Sequence, residues 1–135
     1  MKKQEVKPKF PIEYRLLMRQ TYDEREQAIV TQVGIRTIND FQNFLYEIVV
    51  TAELNDRVIK LHIHGLRAPQ VTIPGTGPAK FKTSFRDLRG LYTVIISKLN
   101  KEENQYEVEI TEKAVVVAKS PKKKFIDLVT NEESW

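Results

Sequence analysis

Between residues 44 and 65, apolar and polar positions alternate with period two on both sides of Asn55-Asp56. Such alternation marks half-buried strands, and two polar turn residues between two such runs mark a hairpin. With the turn at Asn55-Asp56, Leu54 opposes Arg57, Val50 opposes Leu61 and Glu47 opposes His64. One face then carries Tyr46, Ile48, Val50, Ala52, Leu54, Ile59, Leu61 and Ile63. The other carries Glu47, Val49, Thr51, Glu53, Val58, Lys60, His62 and His64. A slip of one residue would turn the whole apolar set to water, so the faces are well determined.

Shorter strand patterns follow at Val71–Ile73, at 80–86 around Phe81, Thr83 and Phe85, at 106–111, and at 114–118. The run from Leu91 to Leu99 reads as a long strand covered on both faces. Residues 125–129 add a last strand or a docking segment. Upstream, Tyr14, Leu17, Met18, Tyr22, Ile29 and Val33 fall at helical spacing, and 23–28 is rich in helix formers. That spacing predicts a helix within 12–33, ended by Gly34, although Ile12, Tyr14, Leu16 and Met18 also alternate as a strand would. Short strands at regular spacing argue for a sandwich or barrel. The expected organisation is a flexible basic N-terminus (1–11), a partly helical segment (12–40), a β-sandwich core (41–118) and a basic linker with a tail or last strand (119–135).

The octet Asp87-Leu88-Arg89-Gly90-Leu91-Tyr92-Thr93-Val94 resembles the tyrosine corner of immunoglobulin-like and fibronectin-type sandwiches. There a glycine, and a tyrosine two residues on, open a core strand, and the phenol bonds back to the preceding turn. Gly90 and Tyr92 match. Leu88 stands where an acid is usual, and Asp87 lies one position further back. The resemblance implies an antiparallel sandwich of about seven strands and no particular activity.

A chain of 135 residues has the length of one domain with a substantial core. It contains no cysteine, which excludes disulfides, cysteine-based zinc sites and thiol nucleophiles. The basic start of the chain is not followed by an apolar run, and no stretch is long enough to span a membrane. These features predict a soluble, cytoplasmic protein. The net charge of +4 resides at the ends. Lys2, Lys3, Lys7 and Lys9 lie at one end and Lys119, Lys122, Lys123 and Lys124 near the other, while 10–118 is balanced. That distribution points away from a nucleic-acid-binding face.

Candidate chemistry is sparse. His62 and His64, the two histidines, share a strand face, and Glu47 across the hairpin completes a ligand set known for Zn²⁺ or non-haem Fe²⁺. The plainer reading is a solvated polar face with an ordinary cross-strand pair. The cupin motif needs a Glu a few residues after its His-x-His, where this chain has Leu66, Arg67, Ala68 and Pro69. The 74–78 loop is Gly-rich but lacks the Gly-Lys-Ser/Thr ending of a phosphate loop. No Gly-x-Ser-x-Gly elbow occurs. Glu107 and Glu109 form an alternating solvent-facing acid row. Lys119 and Lys122–Lys124 could touch a polyanion, or be a solvated run. The functional expectation is a non-catalytic protein-interaction or scaffold domain with a protein partner or a second copy of itself, and with no cofactor. One alternative is a divalent-metal-binding domain or metalloenzyme using His62, His64 and Glu47. The other is polyanion binding through the lysine run.

Overall fold

The computed structural model describes residues 12–68 and 74–135. Its strands are β1 (Tyr14–Asp23), β2 (Ala28–Thr37), β3 (Glu47–Asn55), β4 (Val58–Arg67), β5 (Lys80–Arg86), β6 (Gly90–Lys98), β7 (Glu103–Ile110), β8 (Val115–Lys119) and β9 (Ile126–Val129), followed by a 3-10 turn, Glu132–Ser134. They form one nine-stranded sheet in the order β8-β7-β6-β4-β3-β5-β2-β1-β9. The pairs β4/β6, β3/β5 and β1/β9 are parallel and the others antiparallel. The sheet curls into a half-barrel around one apolar core. The mainly-β expectation holds. The seven-stranded antiparallel sandwich gives way to a single mixed sheet of nine strands, in which residues 14–37 supply two strands in place of a helix and three of the strand pairs are parallel. The expected strand at Val71–Ile73 and the flexible stretch 1–11 lie outside the described residues. Among the described residues no helix is long and apolar enough to cross a membrane.

The predicted helix is a β-hairpin, and the reason is burial on two faces. Leu16 and Met18 point inward opposite Ile35 and Val33. On the outer face Leu17 and Val30 are buried as well. Trp135 folds back against Gly34, the cross-strand partner of Leu17; a Cβ on Gly34 would sit 3.0 Å from the indole. A strand covered on both sides loses its period of two, and the apolar positions then mimic helical spacing. The helix-forming run 23–28 is the hairpin turn. Asp23 accepts hydrogen bonds from the amides of Arg25 and Glu26 there, and Gln27 takes a left-handed φ of 53°. Gly34 ends nothing; it lies within β2.

The β3–β4 hairpin keeps its predicted faces but not its register. Asn55 pairs with Val58, so the turn is Asp56-Arg57, with Asp56 at φ 60°. This places Leu54 opposite Ile59 and Val50 opposite Ile63, apolar against apolar. The shift is two residues, which preserves every inward and outward assignment. The β6 strand is buried on its inner face alone: Tyr92, Val94 and Ile96 are enclosed, while Leu91 is 57% exposed.

Side chains draw the two ends of the curled sheet together. The Asn104 side chain on β7 accepts hydrogen bonds from the amides of Phe125 (2.9 Å) and Ile126 (3.2 Å) and donates to the carbonyl of Lys123 (2.9 Å). The buried Tyr106 phenol donates to the Ile126 carbonyl at 2.7 Å. Lys98, at the end of β6, pairs with Glu13 (3.0 Å) and Glu102 (2.8 Å) and lies 4.7 Å from the Phe125 ring centroid. Burial pulls the Lys98 ammonium down, but hydrogen bonds to Glu102 and Glu13 outweigh it and hold the pKa above the usual lysine value.

Two tests follow. Asn104→Ala leaves two buried amides without an acceptor and should cost about 2–4 kcal/mol. The urea midpoint should fall with an unchanged slope; a loss below about 0.5 kcal/mol would show the latch to be dispensable. Burial first, then the charge of Asp127, pushes the Tyr106 phenol up from 10.0 to about 12, against a backbone hydrogen bond from Leu128 that lowers it. Above pH 10.0 the unfolded chain releases this proton before the folded one. The Tyr106 contribution is therefore complete below that pH and lost as pH climbs toward about 12. Tyr106→Phe should be less stable at neutral pH and should flatten the stability profile across that window.

Candidate interaction surface

The two histidines stand on the outer face of β4. His62 Nδ1 lies 2.7 Å from Ser97 Oγ, His64 Nε2 lies 2.7 Å from Thr51 Oγ1, and the rings meet edge to face with centroids 4.6 Å apart. A hollow of about 370 Å³ beside His62 is lined by Thr51, Glu53, Lys60, Ile95, Ser97 and Glu103. Glu47 does not face His64. A bulge between Val49 and Val50, with Gly65 at φ 135°, places Glu47 opposite Arg67, and the two pair at 2.9 Å. Each imidazole thus has a hydroxyl partner, and the expected carboxylate belongs to an arginine. Among the described residues no group of three or more His, Asp or Glu is placed to hold a metal ion.

The lysine run is anchored at several points. Lys119 sits opposite Glu107 in the β7–β8 ladder, Lys124 is 3.5 Å from Asp127, and the Lys123 carbonyl is held by Asn104. A shallow hollow brings Lys123 and Lys124 beside Glu102 and Glu103. Lys122 is exposed. Acidic neighbours therefore reduce the positive field of this segment.

Gly90 and Tyr92 do open a core strand, and Gly90 takes φ 99°. Tyr92 is buried, with the Arg57 guanidinium 4.9 Å from its ring centroid. Arg57 also donates to the Arg89 carbonyl. The turn is thus held from the β3–β4 hairpin; among the described residues the Tyr92 phenol makes no hydrogen bond to 87–89.

Two features escape sequence reasoning. The balanced charge of the body is sorted by the sheet. The outer face of β1–β2–β5 presents Arg15, Arg19, Arg36, Lys80, Lys82 and Arg86. The outer face of β7 presents Glu103, Glu107 and Glu109. Trp135 lies on the basic side, with Lys80 and Lys82 5.8 and 5.3 Å from its ring centroid. Its carbonyl accepts from Arg15 (3.2 Å) and Arg36 (2.9 Å). The alternation of Lys80, Lys82 and Arg86 is legible in the sequence; its continuation onto Arg36 and Arg15 requires the strand order.

The second feature is a notch in the sheet. The strands β3 and β5 are neighbours, yet they pair at one position, Glu47 with Lys80. Among the described residues they share no further pair beyond it, and each is paired along its other side, β3 with β4 and β5 with β2. The core reaches the surface here. Val50 and Ala52 on β3 and Phe81 and Phe85 on β5 face inward but are only partly buried, and Leu54 is 41% exposed. Their counterparts on β4 and β6, Ile59, Leu61, Val94 and Ile96, are each 0% exposed.

The histidine geometry gives a direct expectation. Metal-stripped protein, melted with and without Zn²⁺ or Fe²⁺, should unfold at the same midpoint, as should His62→Ala and His64→Ala with and without metal. A native-state ligand at about a hundredfold excess over its Kd adds roughly 2.7 kcal/mol, several degrees for a domain of this size. A metal-specific rise lost in both variants would reinstate the metal site.

Compared with protein-family models, curated proteins and solved structures, the chain matches none.

Proposed function

We propose that this chain is a non-catalytic protein-interaction domain that takes hold of its partner at the β3/β5 notch. The observation carrying this reading is the juxtaposition there of strand edges that are unpaired among the described residues with partly exposed core side chains. Unpaired backbone donors and acceptors beside apolar surface form a template for another chain, and folded proteins ordinarily cover such edges. A reducing, cytoplasmic setting fits the cysteine-free composition.

A second reading is polyanion binding, now on the basic β1–β2–β5 face as well as the lysine run. It is favoured by the alignment of Arg and Lys on one face. It is weakened because Arg15 and Arg36 hold the Trp135 carbonyl, Arg19 pairs with Glu132 at 3.2 Å, and Arg86 pairs with Glu26 at 3.0 Å. Retention on heparin beyond about 0.2 M salt would favour it over the first.

The first reading is tested by placing a photo-reactive benzophenone side chain at Leu54, at the notch, or at Lys60, on the outer face of β4. In extract of the source cells the Leu54 position should capture one protein reproducibly and the Lys60 position should not. Equal capture from both positions, or none from Leu54, would overturn the assignment.

A further inference from the structure

Five cations on the outer face of β1–β2–β5 are each met by the segment 131–135. Arg15 and Arg36 donate to the Trp135 carbonyl, Arg19 pairs with Glu132 at 3.2 Å, and Lys80 and Lys82 lie 5.8 and 5.3 Å from the indole centroid. Among the described residues none of the five is ion-paired with a carboxylate of the sheet itself. Glu47 stands opposite Lys80 at the β3/β5 bridge, but Arg67 holds it at 2.9 Å. Arg15, Arg36 and Lys80 are also direct neighbours in one row across three strands. Like charges so placed repel each other unless an anion lies over them. We infer, resting on the polyanion reading above, that this face is a binding site for single-stranded nucleic acid, and that 131–135 is a competing ligand carried by the chain itself.

The groups that 131–135 lays on the face indicate the chemistry the face accepts. The indole lies at Gly34, where a Cβ would stand 3.0 and 3.2 Å from two ring carbons, so a missing side chain opens the seat. The indole N–H donates to the Arg15 carbonyl at 3.3 Å. Beside the ring, Glu132 brings a carboxylate to Arg19. A flat ring flanked by anions is also what a nucleotide presents, with its base for the seat and its phosphates for the guanidinium and ammonium groups. Bases stacked within a duplex do not reach a seat on a sheet, so the single strand is selected. A tethered ligand acts at an effective concentration in the millimolar range. A short acidic peptide with the same groups has no advantage over it. A polynucleotide does, because its phosphates release counterions as they meet the cations. The hollow of about 700 Å³ that continues the face beyond Lys82 is bordered by Asp23 and Glu24. The path of the strand is therefore along the row of Arg15, Arg36 and Lys80, away from those carboxylates.

Trp135 is the sole tryptophan, so indole fluorescence reads this site alone. The test titrates the full chain with oligothymidylate, with its duplex and with heparin. Oligothymidylate should bind, and the emission should move to longer wavelength as the indole leaves Gly34 for water. The duplex should bind at least about tenfold more weakly. Lys82→Glu should lower the affinity for the single strand and flatten its dependence on salt. Glu132→Gln weakens the hold of 131–135 on Arg19 and should raise that affinity about two- to fivefold, the effect of losing one exposed ion pair. Trp135→Ala, followed through the anisotropy of a labelled oligonucleotide, should raise it further; Glu132→Gln decides alone if that variant does not fold. Equal binding of single strand and duplex, an unchanged emission on binding, or no gain with Glu132→Gln would overturn the inference. If heparin binds and oligothymidylate does not, the nucleic-acid assignment is wrong and the polyanion reading stands. If neither binds the full chain or Glu132→Gln, both fall.

Discussion

The Asn104 amide is the contact on which the curled shape depends. The nine-stranded sheet has two outer strands, β8 and β9, and among the described residues no backbone ladder joins them. Closure has to come from side chains, and the β7 strand supplies it. One Asn104 oxygen accepts two consecutive amides just where β9 begins, and its nitrogen holds the Lys123 carbonyl. An asparagine suits this place because one flat group offers donors and an acceptor at once. Tyr106 repeats the link two residues further along the same strand face, and Lys98 does so from β6 with charge. Buried polar groups of this kind are costly unless matched, so they tie the position of β9 to that of β7 and hold the half-barrel in one curled arrangement.

How much of this was legible in the sequence differs by segment. The β3–β4 pair was legible in its faces because one side is buried and the other wet, so a period of two survives in the residues. Its turn was misplaced because Asn55 and Asp56 are both good turn formers, and the pairing of Leu54 with Ile59 decided between them. The β1–β2 pair was legible only at its start, where Tyr14, Leu16 and Met18 alternate. Trp135, about a hundred residues away in sequence, packs on the outer face at Gly34, where Leu17 and Val30 are buried too, and these outer apolar positions overlay a helical spacing on that alternation. No local pattern announces that a distant indole will lie on a face.

The candidate surfaces follow the same division. His62 and His64 could be placed together from strand geometry alone, and they are together. The carboxylate proposed for them could not, because a bulge at Gly65 moved Glu47 to Arg67. Charge counting found a balanced body, which is correct as a sum and silent about position. Sorting arises only when β5, with its outward Lys80, Lys82 and Arg86, is set beside β2 and β1. The notch is further still from the sequence, since it is a property of two strands that are neighbours and yet scarcely paired.

That notch is a consequence of the chain path. In the sheet, β5 and β6 are separated by β3 and β4, three inter-strand steps of about 4.8 Å each, or roughly 14 Å. In the sequence they are joined by Asp87, Leu88 and Arg89 alone, so Arg86 to Gly90 reaches about 14 Å only when fully extended. The connection is far from extended. Asp87 takes a left-handed φ of 62°, and Leu88 turns inward until it is 2% exposed. It must also pass the β3–β4 turn, to which Arg57 ties it. The upper ends of β5 and β6 are therefore held closer together than a flat, fully paired sheet would allow. The hairpin between them has to leave the plane on one side. The β4 strand stays with β6 through six paired positions, so the separation falls between β3 and β5. Lengthening the 87–89 connection would relax this constraint and let the two edges pair, which makes the openness of the notch a property built into three residues.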